Sequence, residues 1–249
     1  MFRPKTGSVV VALSGIDLDV FVGEFVSLVG QSGCGKSTLL NMVGGLITPS
    51  AGVIQVRGET VESPRDDVGY MLQVPVLLPW RTVLENVLLP YEIKQRYYNR
   101  DAVLTRALDL LELAGLEEFR DGLPKELSGG MQQRAALVRT LTYEPRVLLM
   151  DEPFSALDEF TREALNLELL RLWDGSGITV VYVTHNIAEA VFLSDRVVVM
   201  TPRPGRIAEV IDVPVPRPRH PDHMFAPVFT DTVRRIRNAL MTRDGRSGR

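Results

Sequence analysis

The chain has 249 residues, 45% of them apolar, and a net charge of −3. That length fits one large α/β domain or a domain with an inserted lobe, and the acidic balance argues against a general nucleic-acid binder. No apolar run nears the roughly 20 residues of a membrane span, the start lacks the pattern of a secretory signal, and Cys34, the single cysteine, leaves no internal disulfide; the expectation is a cytosolic protein that reaches a membrane only through partners.

Residues 9–22, VVVALSGIDLDVFV, read as strand material, with alternation at Ile16, Leu18 and Val20 and a turn at Ser14-Gly15. Residues 24–40, EFVSLVGQSGCGKSTLL, begin as a buried strand through Phe25, Val26, Leu28 and Val29. The strand runs into Gly30-Gln31-Ser32-Gly33-Cys34-Gly35-Lys36-Ser37, which fits G-x-x-x-x-G-K-[ST], and a helix opens by Thr38. Strand, glycine loop and helix are the context this phosphate-binding motif requires. Gly30, Gly33 and Gly35 let the backbone turn and aim N–H groups at one anion. The helix N-terminus adds partial positive charge at the same place. Lys36 supplies a full charge to the β- and γ-phosphates, and the Ser37 hydroxyl can ligate Mg²⁺. Cys34 reads as a small residue that fits the loop, since metal or nucleophile work would need cysteine or histidine neighbours.

Further along, VIQVRG (53–58) and VGYML (68–72) are short strands, the second ending at Gln73. Residues 77–81, LLPWR, form a turn with an exposed tryptophan. A helical lobe spans about 83–136, with Leu104, Ala107, Leu108, Leu111 and Ala114 on one face and a stop at Gly115. LSGGMQQRAALVRTL (127–141) is a serine-capped helix. RVLLM (146–150) is an apolar strand that runs into Asp151-Glu152. A helix over 158–173 carries Leu165, Leu169 and Leu172; strand 178–184 ends at His185; helix 187–194 and strand 196–200 follow. Beyond Thr201, prolines keep the chain extended until a short helix at 234–241. The arginines there are diluted by Asp222, Asp231 and Asp244, so the end reads as a solvated tail. The domain division is 1–220 and 221–249.

Strands alternating with helices give a mostly parallel sheet, whose ligands sit at the carboxyl ends of its strands. Gly30, Gln73, Asp151 and His185 each stand at such an end. Asp151 can hold a Mg²⁺ shell, and Glu152 can orient and deprotonate an attacking water.

Six segments together carry a resemblance: GQSGCGKST (30–38), Gln73, LSGGMQQR (127–134), VLLMDEP (147–153), SALD (155–158) and VTH (183–185). In this order they resemble the ATP-binding subunits of ABC transporters. The resemblance implies an α/β P-loop cassette with an antiparallel β subdomain and an inserted helical lobe. It implies ATP and Mg²⁺ as ligands, two subunits sandwiching two ATP molecules, and membrane-spanning permease partners. The Ser128-Gly129-Gly130 loop would clasp the γ-phosphate held by the partner's phosphate loop. Gln73 would touch Mg²⁺ and the lytic water, His185 would sense the γ-phosphate, and Asp158 would help join the subunits. LLPWRTVLENVLLP (77–90) and RPGRI (203–207) are similar to importers for nitrate, sulfonates and taurine, which implies an indirect periplasmic or extracellular substrate-binding partner. Phe2 is the candidate aromatic for stacking on adenine; most of the strand the family has before it is missing, so the chain is expected to begin about ten residues late or to tolerate a shortened edge strand. An exporter subunit, a soluble ATPase acting on DNA or ribosomes, and a non-catalytic nucleotide-binding regulator stand as rival readings.

Overall fold

The computed structural model describes residues 10–94 and 99–241. In chain order the strands are β1 (Phe25–Val29), β2 (Gln55–Val56), β3 (Glu59–Thr60), β4 (Val68–Met71), β5 (Val147–Asp151), β6 (Thr179–Val183), β7 (Arg196–Met200) and β8 (Ile207–Asp212). The helices are α1 (Lys36–Val43), α2 (Val83–Lys94), α3 (Arg100–Leu113), α4 (Gly129–Thr142), α5 (Glu159–Trp173), α6 (Ile187–Leu193) and α7 (Pro227–Met241). The main sheet runs β4-β5-β6-β1-β7-β8, with β2 and β3 in a separate hairpin. All pairs from β4 to β7 are parallel; only β8 runs against its neighbour.

Alternate residues of each central strand feed opposite faces of the sheet. Phe25, Leu148, Met150, Val180, Tyr182, Val197 and Val199 pack with α4, α5, α6 and α7 on one side. Val26, Leu28, Leu149, Val181, Val183 and Val198 pack with Leu40 of α1 and with Val56 and Val61 of the hairpin region on the other. A strand buried on both faces reads as a continuous apolar run, which is why FVSLV, VLLMD and TVVYV look alike. A separate cluster of Val83, Val87, Ala107, Leu111, Leu116, Ala135 and Val138 holds α2, α3 and α4 together as the helical lobe.

Four expectations change. Residues 11–22 form no strand; an isolated bridge joins Leu13 to Gly205. Leu18 and Val20 still pack on the second face of the sheet, so the alternation encodes burial without a partner strand. The proline-rich stretch contains β8, paired antiparallel to β7, because the prolines flank residues 207–212 instead of interrupting them. The last helix begins at Pro227, a favoured first helical position. Its Phe229 and Ile236 are buried in the main core, so this end is docked on the core instead of solvated. The expected stripe of α3 holds at Ala107, Leu111 and Ala114, which are buried in the lobe, while Val103 is buried and Leu104 and Leu108 are half-buried at its edge.

Candidate nucleotide site

The sheet order makes the carboxyl ends of β4, β5, β6 and β1 consecutive neighbours, all pointing the same way. Gly30 follows β1 directly, Asp151 ends β5, and Gln73 and His185 come two residues past β4 and β6. Four polar positions spread over 155 residues, from Gly30 to His185, thus share one edge.

The phosphate loop occupies the β1–α1 turn. Gly35 is the α1 N-cap at φ 106°, and Gly33 has φ 76°, conformations that a side chain would strain. With no capping side chain on Gly35, the first-turn N–H groups of α1 are left for a ligand. Gln31, Ser32 and Gly33 are exposed at the crest, and Cys34 is buried. Lys36 is buried, and its Nζ donates to the Gly30 carbonyl at 2.8 Å and the Gln31 carbonyl at 3.1 Å. A cation held on two carbonyls at the mouth of the loop can be drawn over to a phosphate.

Ser37 Oγ donates to Asp151 Oδ1 at 2.9 Å, so the start of α1 and the end of β5 meet. Burial pushes the Asp151 carboxyl above its usual range; the Ser37 hydrogen bond opposes this and neighbouring Glu152 adds to it. A hydroxyl and a desolvated carboxylate beside a second carboxylate are hard oxygen donors short of positive charge. That donor set fits Mg²⁺, which takes one or two protein oxygens and completes its shell from phosphates and water.

Glu152 sits at φ 47°, in the left-handed region, an unusual place for a glutamate. Its N–H donates to the Val183 carbonyl at 3.0 Å, which fixes the strained turn against β6. His185 Nδ1 lies 3.0 Å from Glu152 Oε2. Asn186 caps α6 by accepting from Glu189 N at 3.1 Å, and its own N–H donates to Thr184 Oγ1, so the turn that carries His185 is braced on both sides. Gln73 Nε2 donates to Ser155 Oγ at 3.1 Å, and Ser155 Oγ donates to the Glu152 carbonyl at 3.0 Å. Gln73, Ser155, Glu152 and His185 therefore form one connected chain.

Ser128, Gly129 and Gly130 stand elsewhere, at the start of α4. Ser128 Oγ accepts from Met131 N at 3.3 Å. A side chain on Gly130 would meet Thr161 Cγ2 at 2.9 Å, and one on Gly129 would meet Leu157 at 3.8 Å, so this helix end faces the start of α5. Asp158 is the α5 N-cap, accepting from Thr161 N and Thr161 Oγ1; those bonds hold its carboxyl below the usual range. Thr38 lies in the first turn of α1. Phe2 lies outside the described residues. One contact had no sequence signal beyond membership of LSGGMQQR: buried Gln133 donates from Nε2 to the Gln73 carbonyl at 2.8 Å. It ties α4 to the site.

A family model described as ABC transporter matches residues 13–155. The chain belongs to the ABC transporter family. An aliphatic sulfonates import ATP-binding protein of Bacillus cereus is 42% identical over 88% of this chain and 84% of its own length. A taurine import ATP-binding protein of Rhizobium johnstonii is 45% identical over 85% of this chain and 80% of its own. Among solved structures, a dimeric ATP-binding cassette in a post-hydrolysis state with ADP and phosphate matches at TM-score 0.73 and 34% identity, over 85% of this chain and 94% of that one. The cassette is thus an ABC-type ATPase with the fold of that family. No helix among its described residues is long and apolar enough to cross a membrane.

Proposed function

We propose that this ATPase powers import of a small anionic or zwitterionic solute, of the nitrate, sulfonate and taurine class, as a homodimer bound to membrane permease subunits. The observation that carries the reading is the shared edge where Lys36, Ser37, Asp151, Glu152, Gln73 and His185 converge. The names of the sulfonate and taurine relatives support the cargo class.

The cassette's residues divide the work. Backbone N–H groups of 30–38 and the Lys36 ammonium hold the phosphates. Ser37 and Asp151, with Gln73, would hold Mg²⁺, which supplies charge neutralisation for the phosphates when bound. Glu152 takes a proton from the attacking water, and His185, 3.0 Å away, keeps that carboxylate oriented. In the chain itself the Ser128-Gly129-Gly130 helix start faces α5, so a second copy is what delivers this end to a γ-phosphate. Asp158 lies on the same face. Exposed Leu72, Val74 and Val76, with Trp80 at 72% exposure, form an apolar strip beside Gln73 suited to a permease segment. A substrate-binding protein outside the membrane would meet the permease, not the cassette.

Glu152→Gln tests the reading. Phosphate release should fall by about 10²–10⁴-fold, the usual worth of a general base, while ATP with Mg²⁺ converts the variant to a dimer by light scattering. A variant that stays monomeric with ATP, Mg²⁺ and permease present overturns the sandwich. Stimulation of the permease-bound ATPase by sulfonates, taurine or nitrate, with their binding protein, tests the cargo class.

A further inference from the structure

The turn between β7 and β8, residues 201–206, has no part in the reading above, yet it rests on the phosphate loop. Gly205 is buried, and a Cβ there would sit 2.0 Å from the Cys34 carbonyl oxygen and 2.9 Å from Leu13 Cδ2. Gly205 N donates to the Ala12 carbonyl at 2.9 Å, and Ser14 N donates to the Gly205 carbonyl at 3.0 Å. Arg203 Nη2 donates to the Gly33 carbonyl at 3.1 Å. The turn is closed on itself by Thr201 N to Arg206 O at 2.9 Å and by Arg206 N to Thr201 Oγ1 at 3.0 Å. The contact is therefore with a braced element.

Two consecutive peptides of the phosphate loop are held this way. The carbonyl of the 33–34 peptide is taken by Arg203, and its N–H closes the loop's own turn onto the Gln31 carbonyl at 3.3 Å. The carbonyl of the 34–35 peptide abuts Gly205. In a trans peptide the N–H points opposite the carbonyl. Seating the Cys34 carbonyl against the turn therefore turns the Gly35 N–H to the opposite side of that peptide.

We propose that residues 201–206 are a positioning element of the nucleotide site: Gly205 sets the depth of the loop at Cys34, and Arg203 fixes the Gly33–Cys34 peptide. The inference rests on the reading that this loop binds nucleotide. It assigns a role to Arg203 and Gly205 of the RPGRI stretch.

The test is titration of a fluorescent ATP analogue, with steady-state kcat and KM, on the full chain. Arg203→Ala should weaken binding about three- to tenfold, as expected for one hydrogen bond, raise KM by the same factor and leave kcat within about twofold. Arg203→Lys should recover part of the loss. Gly205→Ala should cost more than tenfold in affinity, since its methyl meets backbone. Arg206→Ala, which removes an exposed cation of the same turn, should leave affinity unchanged; an equal loss there means bulk charge is at work and overturns the proposal. If Gly205→Ala fails to fold, Arg203→Ala decides alone. Wild-type affinity in Arg203→Ala overturns the proposal while loss in Lys36→Ala keeps the nucleotide reading; full affinity in both overturns the nucleotide reading itself.

Discussion

Two helices of this cassette open at a glycine, Gly35 as the cap of α1 and Gly129 as the first residue of α4, and their ends are built differently. The α1 start has a left-handed glycine cap, no capping side chain and a buried lysine one residue on. The α4 start has Ser128 as cap, with its hydroxyl accepting from Met131 N, and packs against α5. The first leaves its N–H donors to a ligand and brings its own cation. The second has part of its donor set satisfied already and brings no charge. A helix dipole alone is a weak anion site, typically worth 0.3–1 kcal/mol at a surface. In the proposed function this difference means that α1 binds phosphate by itself, whereas α4 contributes only when another copy presents a phosphate already bound.

Lys36→Ala should do the most damage, because it removes the cation that separates the two ends. ATP affinity of the monomer is expected to fall about 10–100-fold, the worth of a charged hydrogen bond of roughly 1.5–3 kcal/mol; an unchanged titration would refute the role of α1. Gln133→Leu should come next. It strips the Gln73 carbonyl of its buried donor and uncouples α4 from the site. Hydrolysis is expected to drop about three- to tenfold while monomer ATP binding stays intact; an equal loss of binding would mean that the contact only supports the fold. Ser128→Ala should leave monomer ATP affinity unchanged and weaken ATP-dependent dimerisation in the Glu152→Gln background, with about 1 kcal/mol of lost helix capping. If instead the monomer binds ATP less well, the two helix ends are not the separate devices described here.

The smallest effect concerns Asp158, at the start of α5 beside the α4 end. Its carboxyl is held below the usual range by the Thr161 amide and hydroxyl. A lowered acid stabilises the fold above its unfolded pKa, near 3.9, and that contribution is lost as pH falls through the lower folded value. Asp158→Asn should therefore lower Tm slightly near pH 7, and the gap should narrow as pH falls below the unfolded value and close once the lowered folded value is passed. A gap independent of pH would place the effect in packing.

Much of the site could be read from the chain because its residues lie in short, locally determined units. Each phosphate-loop residue is within eight positions of the others, and Asp151 and Glu152 end a strand whose apolar run is unmistakable. The Glu152–His185 contact spans 33 positions and Gln73–Ser155 spans 82. Their pairing depends on β4, β5 and β6 lying side by side, which spacing does not encode. The docked α7 does carry a signal, because Val228, Phe229, Val233, Ile236, Ala239 and Leu240 recur at helical spacing and all meet the main core; the prolines before it and the arginines between these positions obscure that stripe.

From residue order alone came the buried parallel strands, the glycine loop that needs φ above zero, and the acid pair placed to meet it. Those follow from local rules: apolar runs make buried strands, and only glycine turns so tightly beside a phosphate. Tertiary packing alone decided the left-handed backbone of Glu152, the hold of Gln133 on the Gln73 carbonyl, β8, and the turn at 201–206 seated on the phosphate loop. Each depends on which elements become neighbours, and neighbourhood is fixed by how the whole core closes, not by any one stretch of sequence.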